Sequence, residues 1–166
     1  LVPAAADAPP AARLREAGTI MVSKTTMPDY GMLSSGLSTF HSLARNPWDL
    51  SKTPGGSSAG AGAAAAAGYG PLHIGTDIGG SLRLPAGWCG IFSLKPSLGR
   101  VPIDPPYTGR AAGPMTPGVA GAALVTVSAR VTDVGSGMET AMVTFTSPSG
   151  TQERSILFQP SDRLEG

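Results

Sequence analysis

The chain has a single cysteine, Cys89, which excludes an intrachain disulfide. Its two histidines, His41 and His73, stand far from each other and from that thiol, so no metal-ligand spacing exists and no cofactor is implied. Charge of one sign is also missing. Twelve basic residues against eleven acidic ones leave a formal +1, scattered along the chain, which marks neither nucleic acid nor an anionic membrane as a partner. No apolar run approaches the roughly 20 residues of a membrane span. The opening LVPAAADAPP lacks a basic start and a long apolar core, so it is no signal peptide, and the compartment stays open between cytoplasm and export. No serine stands three residues before Lys24, Lys52 or Lys95, which removes the S-x-x-K chemistry of penicillin-binding proteins.

What the chain has in quantity is glycine, 23 residues, and proline, 16, a balance that favours many turns over long helices. At 166 residues it holds one domain, or a domain and a piece of another. The glycines concentrate chemistry in two serine-bearing segments, GGSSAG from Gly55 and GTDIGGSLR from Gly75, with an alanine-rich stretch between them. Each sets a hydroxyl on a backbone that glycine can fold tightly, beside free N–H groups, as a site stabilising an oxyanion requires. The serine candidates are Ser57 and Ser58 in the first segment and Ser81 in the second.

Around them stand, in order, Asn46-Pro47-Trp48-Asp49, PGGSS at 54–58, GTDIGGSLR at 75–83, and Cys89-Gly90 leading to Lys95-Pro96. With RLREAGTI from Arg13 and GPMT from Gly113, this set resembles the amidase signature family over residues 10–118. The resemblance implies cleavage of a small-molecule carboxamide by a Ser–cis-Ser–Lys triad. Ser81 resembles the nucleophile and Ser57 the bridging serine, which in that family follows a cis peptide, here Gly56–Ser57. The amides of Ile78, Gly79, Gly80 and Ser81 resemble the oxyanion hole, with Ser58, Asp77 and Arg83 in support.

The physical demands agree with that implication. An amide carbonyl is a poor electrophile, so a serine needs a base for its proton and donors aimed at the oxygen that becomes negative. Ser57 would relay the proton outward and then back to the leaving amine. The family's catalytic lysine belongs to a GxPxxxKD-type segment that does not occur here. Lys24, in SKTTMP, resembles a different and structural family lysine. To act as a base it would need a pKa far below about 10.4, and nothing local to it provides that. Loss of a general base costs about 10²–10⁴-fold, so the expectation is a fragment, opening at Leu1 rather than methionine, that is weakly active or inactive alone.

Several residues have plainer readings. GSSAG also fits G-x-S-x-G with Ser58 as attacker, but that elbow needs a hydrophobic strand before it, and SKTPG is none. Asp77 is expected to bond loop amides, Arg83 to pair with an acid, His73 to be an ordinary strand histidine, and His41 to lie at the surface. Cys89 is expected in a turn before a strand, packed in the core rather than reactive. Trp48 is expected to pack a loop.

The expected architecture is α/β, a partial mixed sheet with helices over residues 1–118, followed by a short β-rich tail at 119–166. Residues 11–17 read as a short helix ended by Gly18, 19–23 as a buried strand, 31–45 as loop, and 58–67 as a helix stopped by Gly68. Residues 72–76 and 90–94 read as strands. In the tail, 124–132 alternates Val125, Val127, Ala129 and Val131 with polar residues, 140–146 alternates similarly, and SPSG at Ser147 predicts a turn returning to 155–158. VTDVGSGM from Val131 resembles bacterial immunoglobulin-like modules. Two alternatives to an amidase remain open at this point: the glutaminase-type A subunit of a tRNA-dependent amidotransferase, and a noncatalytic extracellular remnant.

Overall fold

A computed structural model describes residues 4–118 and two short strands at 145–147 and 150–152. By contact density the chain divides into Leu1–Val119 and Ala120–Gly166. In the first unit, α1 (Pro9–Glu16) begins on two prolines, whose fixed φ and missing N–H suit a first helical turn, and it ends before Gly18 at φ +81°. A 3-10 turn follows at Asp29–Gly31, then α2 (Ala59–Ala66), β1 (His73–Asp77), α3 (Arg83–Cys89), β2 (Phe92–Ser93) and β3 (Ala111–Thr116). The α/β class is borne out, and every strand pair described is antiparallel.

The strands run in the order β1-β3-β2, with His73 opposite Met115, Asp77 opposite Ala111, and Phe92 opposite Thr116. The central strand β3 is therefore last in sequence. Its AAGPMT composition carried no strand signal, because glycine and proline disfavour sheet interiors. Gly113 is required there by close approach: a Cβ would collide with the Leu94 carbonyl oxygen and come within 2.9 Å of Leu82 Cδ1.

Helix α2 buries Ala59, Ala61, Gly62 and Ala65. Side chains this small let α3 come close, so that a Cβ on Gly62 would stand 2.6 Å from Pro85 Cβ. The core that results centres on Ala61, Leu82 and Met115, with Ile91 against it. Full burial of Leu82 and Met115 contributes about 1.5–3 kcal/mol each.

Residues 19–23, expected as a buried strand, form none. Ile20 and Val22 are 85% and 83% exposed, and no described strand pairs with them. An apolar run sets a preference for burial but cannot supply the opposing surface. Cys89 is likewise not in a turn but closes α3, whose helical path Gly90 ends in the left-handed region at φ +65°. In the second unit, β4 (Phe145–Ser147) pairs with β5 (Gly150–Gln152), Ser147 opposite Gly150. The described partner of β4 is therefore the strand that begins at Gly150, rather than the 155–158 expected from the SPSG signal. The expected strands at 124–132 and 155–158, and the VTDVGSGM stretch, lie outside the described residues.

Candidate active site

The GGSS loop is wedged between two elements. On one side a Cβ at Gly55, φ +85°, would stand 2.9 Å from Pro85 N in α3; on the other, a Cβ at Gly56 would stand 2.5 Å from Ser35 N and O. Only glycine fits this gap. Cys89 Sγ donates to Pro54 O at 3.3 Å, anchoring the loop's start, and burial pushes the thiol's pKa up, which keeps it protonated and unreactive. The Gly56–Ser57 peptide is cis. Ser57 is 8% exposed, and its Oγ faces the backbone of Gly31: a Cβ built there would lie 3.5 Å away.

Ser58 points to β1. Its Oγ donates to Thr76 O at 3.2 Å and accepts from Thr76 N at 3.1 Å. One hydroxyl therefore bolts the first serine loop to the strand that leads into the second. This engagement leaves Ser58 poorly suited as an attacker in an elbow.

Asp77, next along β1, organises that second loop. It is 1% exposed. Oδ1 accepts from Gly80 N at 2.8 Å, and Oδ2 accepts from Leu82 N at 3.1 Å and Arg83 N at 3.4 Å, the amides at the start of α3 that have no partner within the helix. Arg83 closes a fork on the same carboxylate through Nε at 3.0 Å and Nη2 at 2.9 Å. Burial alone would raise the Asp77 pKa, but the guanidinium and the Leu82, Gly80 and Arg83 amides outweigh it and hold the pKa at about 2. Arg83, spent on Asp77, is an ion-pair partner.

The Gly80 amide, expected in the oxyanion cradle, is thus turned inward to Asp77. At φ +125° it occupies backbone space that side-chain-bearing residues rarely adopt. The amides of Ile78, Gly79 and Ser81 have no acceptor among the described residues. Ile78 and Gly79 are exposed and Ser81 half-buried, so these donors are open to a ligand. No hydrogen bond joins the Ser57 and Ser81 hydroxyls, and neither is bonded to another described residue.

Flanking motifs serve as caps. Asn46 Nδ2 donates to Trp88 O at 2.8 Å and Trp48 Nε1 to Cys89 O at 2.7 Å, satisfying carbonyls that α3 leaves open at its end. The NPWD motif therefore closes the helix that Asp77 opens. Lys24 is exposed, on a run whose Thr26 carbonyl accepts from Gly60 N at 2.9 Å. His73 is half-buried on β1 with Nε2 unpartnered, and burial lowers its pKa. A groove of about 920 Å³ between residues 18–25 and β1 is lined by Leu14, Ile20, Lys24, Leu72 and His73 among others; neither Ser57 nor Ser81 reaches it. Among the described residues no cluster of three or more His, Cys, Asp or Glu could hold a metal, and no helix is long and apolar enough to cross a membrane.

Residues 31–45, a loop by their sequence, are tied back to Asp29 by a brace. Asp29 accepts from Thr39 N at 3.0 Å and Thr39 Oγ1 at 2.7 Å, and also from Ser38 Oγ. These bonds, that of Ser38 first, hold its pKa at about 2. No spacing signal could have announced them, since the partners lie about ten residues apart in irregular backbone.

An α/β scaffold that fixes two serine-bearing glycine loops on one strand defines the class of the molecule. The chain belongs to the amidase family, whose model matches residues 2–160. It is 50% identical over 95 residues to the A subunit of the glutamyl-tRNA(Gln) amidotransferase of Chromohalobacter salexigens, an alignment covering 57% of this chain and 20% of that protein. A crystal structure of an amidase superposes with a TM-score of 0.67 at 39% identity, over 72% of this chain and 29% of that one. A 6-aminohexanoate cyclic dimer hydrolase complexed with substrate gives 0.66 at 36%, over 69% and 25%. The chain spans about a fifth of the length of the curated relatives it matches.

Proposed function

We propose that this chain carries the nucleophile and oxyanion cradle of an amidase that hydrolyses a carboxamide C–N bond through a seryl acyl-enzyme. The observation that carries the reading is the Ser58 bolt to Thr76, which sets the buried Ser57 loop against the strand that delivers Ser81. Ser81 Oγ attacks the carbonyl carbon and passes its proton to Ser57. The oxygen, now negative, takes hydrogen bonds from the amides of Ile78, Gly79 and Ser81, while Gly80, held by Asp77, fixes the loop's shape. Collapse breaks the C–N bond, the leaving amine takes the proton back through Ser57, and water then releases the acyl group.

The base behind Ser57 is a lysine other than Lys24, Lys52 and Lys95, none of which hydrogen-bonds Ser57. In this reading residues 1–118 form the catalytic segment and 119–166 a β-rich tail; the contact division at Val119 supports that boundary, while the family model runs across it to residue 160.

A fluorophosphonate probe applied to the chain extended upstream by its own coding sequence tests the proposal. Covalent labelling should be lost in Ser81→Ala and slowed by about 10²-fold or more in Ser57→Ala. Labelling that survives Ser81→Ala and vanishes in Ser58→Ala overturns it in favour of the elbow. The 50% identity to the A component of an amidotransferase favours a second reading, a glutaminase that passes ammonia to a partner. Ammonia release from glutamine, stimulated by partner proteins, distinguishes it from a free-standing amidase.

A further inference from the structure

His41 has a carbonyl oxygen at each ring nitrogen: Ser42 O lies 2.9 Å from Nδ1, and Met27 O lies 2.8 Å from Nε2. A carbonyl accepts and never donates. Neutral imidazole has a single N–H, so whichever tautomer it took, one nitrogen lone pair would face an oxygen lone pair; only the doubly protonated ring satisfies both contacts. The charged group facing His41 among the described residues is Asp29, whose carboxylate is held ionised by Ser38 and Thr39. Local charge thus agrees with the geometry.

The contact to Met27 reaches the proposed site. Gly31 lies one turn on from Met27, its N donating to Pro28 O at 2.8 Å. A Cβ built on Gly31 would stand 2.9 Å from Met27 Cε and 3.5 Å from Ser57 Oγ. Residues 27–31 therefore form the wall beside the Ser57 hydroxyl, and two side-chain ties cross from it to 38–42: Asp29 to Ser38 and Thr39, and His41 to Met27.

We infer that His41 is a positioning residue, a protonated clasp that ties residues 38–42 to Met27 and so holds the 27–31 wall against Ser57 in a pH-dependent way. The catalytic consequence rests on the role proposed for Ser57; the clasp itself does not. The sign follows from the bonds. The carbonyls of Ser42 and Met27, aided by Asp29 and opposed by desolvation, raise the His41 pKa above its ordinary 6.5. The clasp is complete below pH 6.5 and is lost as the pH rises through the higher folded value.

The test is an NMR titration of both histidines in the full chain, assigned with His41→Gln, alongside hydrogen exchange at the Gly31 and Thr39 amides corrected for the intrinsic pH dependence. His41 should titrate above 6.5, and the protection of those two amides should fall roughly three- to tenfold across the same midpoint, the loss of one solvent-accessible hydrogen bond. In His41→Gln, which cannot donate at both ends, protection should stay at the lower level at every pH. The idea is overturned if His41 titrates at or below 6.5, if protection is constant through its midpoint, or if His41→Gln keeps the wild-type pH dependence. Should that variant fail to fold, the wild-type titration and exchange decide alone. No readout requires turnover, so a chain that cleaves no amide still tests the clasp, and a failed clasp leaves the amidase reading standing.

Discussion

Asp77→Asn isolates the one side chain that shapes both the second serine loop and the start of α3. The wild-type carboxylate takes the Gly80, Leu82 and Arg83 amides and the Arg83 fork at once. Its folded pKa of about 2 against an ordinary 3.8 corresponds to about 2–3 kcal/mol of stability at neutral pH, at 1.36 kcal/mol per unit. Because the folded value is the depressed one, that contribution is full above about pH 4 and is lost as the pH falls through about 2. Asparagine keeps the shape and one acceptor oxygen but loses the charge, so it should lose a similar about 2–3 kcal/mol. With a urea slope of about 1–3 kcal/mol per molar, the unfolding midpoint at pH 7 should drop by about 0.7–3 M. Alanine should cost about 1–3 kcal/mol more, since the inward Gly80 and Leu82 amides would then have no partner. Urea titrations at pH 7, 4 and 2.5 check this: wild type and Asp77→Asn should converge as the pH falls. A variant as stable as wild type at pH 7, or a gap unchanged at pH 2.5, refutes the view that the ionised carboxylate organises this loop.

Other outcomes follow from single contacts. Ser58→Ala removes both bonds to Thr76 and should cost about 1–2 kcal/mol in chemical denaturation, without abolishing fluorophosphonate labelling of Ser81. Gly113→Ala drives a methyl into the Leu94 carbonyl and Leu82, and should destabilise by about 3 kcal/mol, with loss of exchange protection along β2 and β3. His73, its pKa lowered by burial, contributes stability that is present above pH 6.5 and falls away as the pH drops through its lower folded value. Replacing it with Gln should flatten that acid-side slope in thermal unfolding below pH 6.5.

Features that need only neighbours along the chain were legible before folding. The alanine-rich run forms α2 and Gly68 stops it at φ +76°; the helix read over 11–17 is α1, which its paired prolines start two residues earlier; residues 72–76 mark β1 to within one position. The serine-glycine segments were equally legible, because so few residue types fit a backbone that tight. Features that depend on partners distant in sequence were fixed by packing. β3 is central although glycine and proline argue against it, because Gly113 admits the Leu94 carbonyl. α3, with proline and glycine inside it, is held by caps from Asp77, Asn46 and Trp48 that no local propensity contains. Residues 19–23 have strand composition but no strand partner among the described residues, and stay exposed. The inward turn of the Gly80 amide and the two carbonyls around His41 belong to this second group too. A hydrogen bond's direction is set by where the acceptor ends up, and only the folded chain places it.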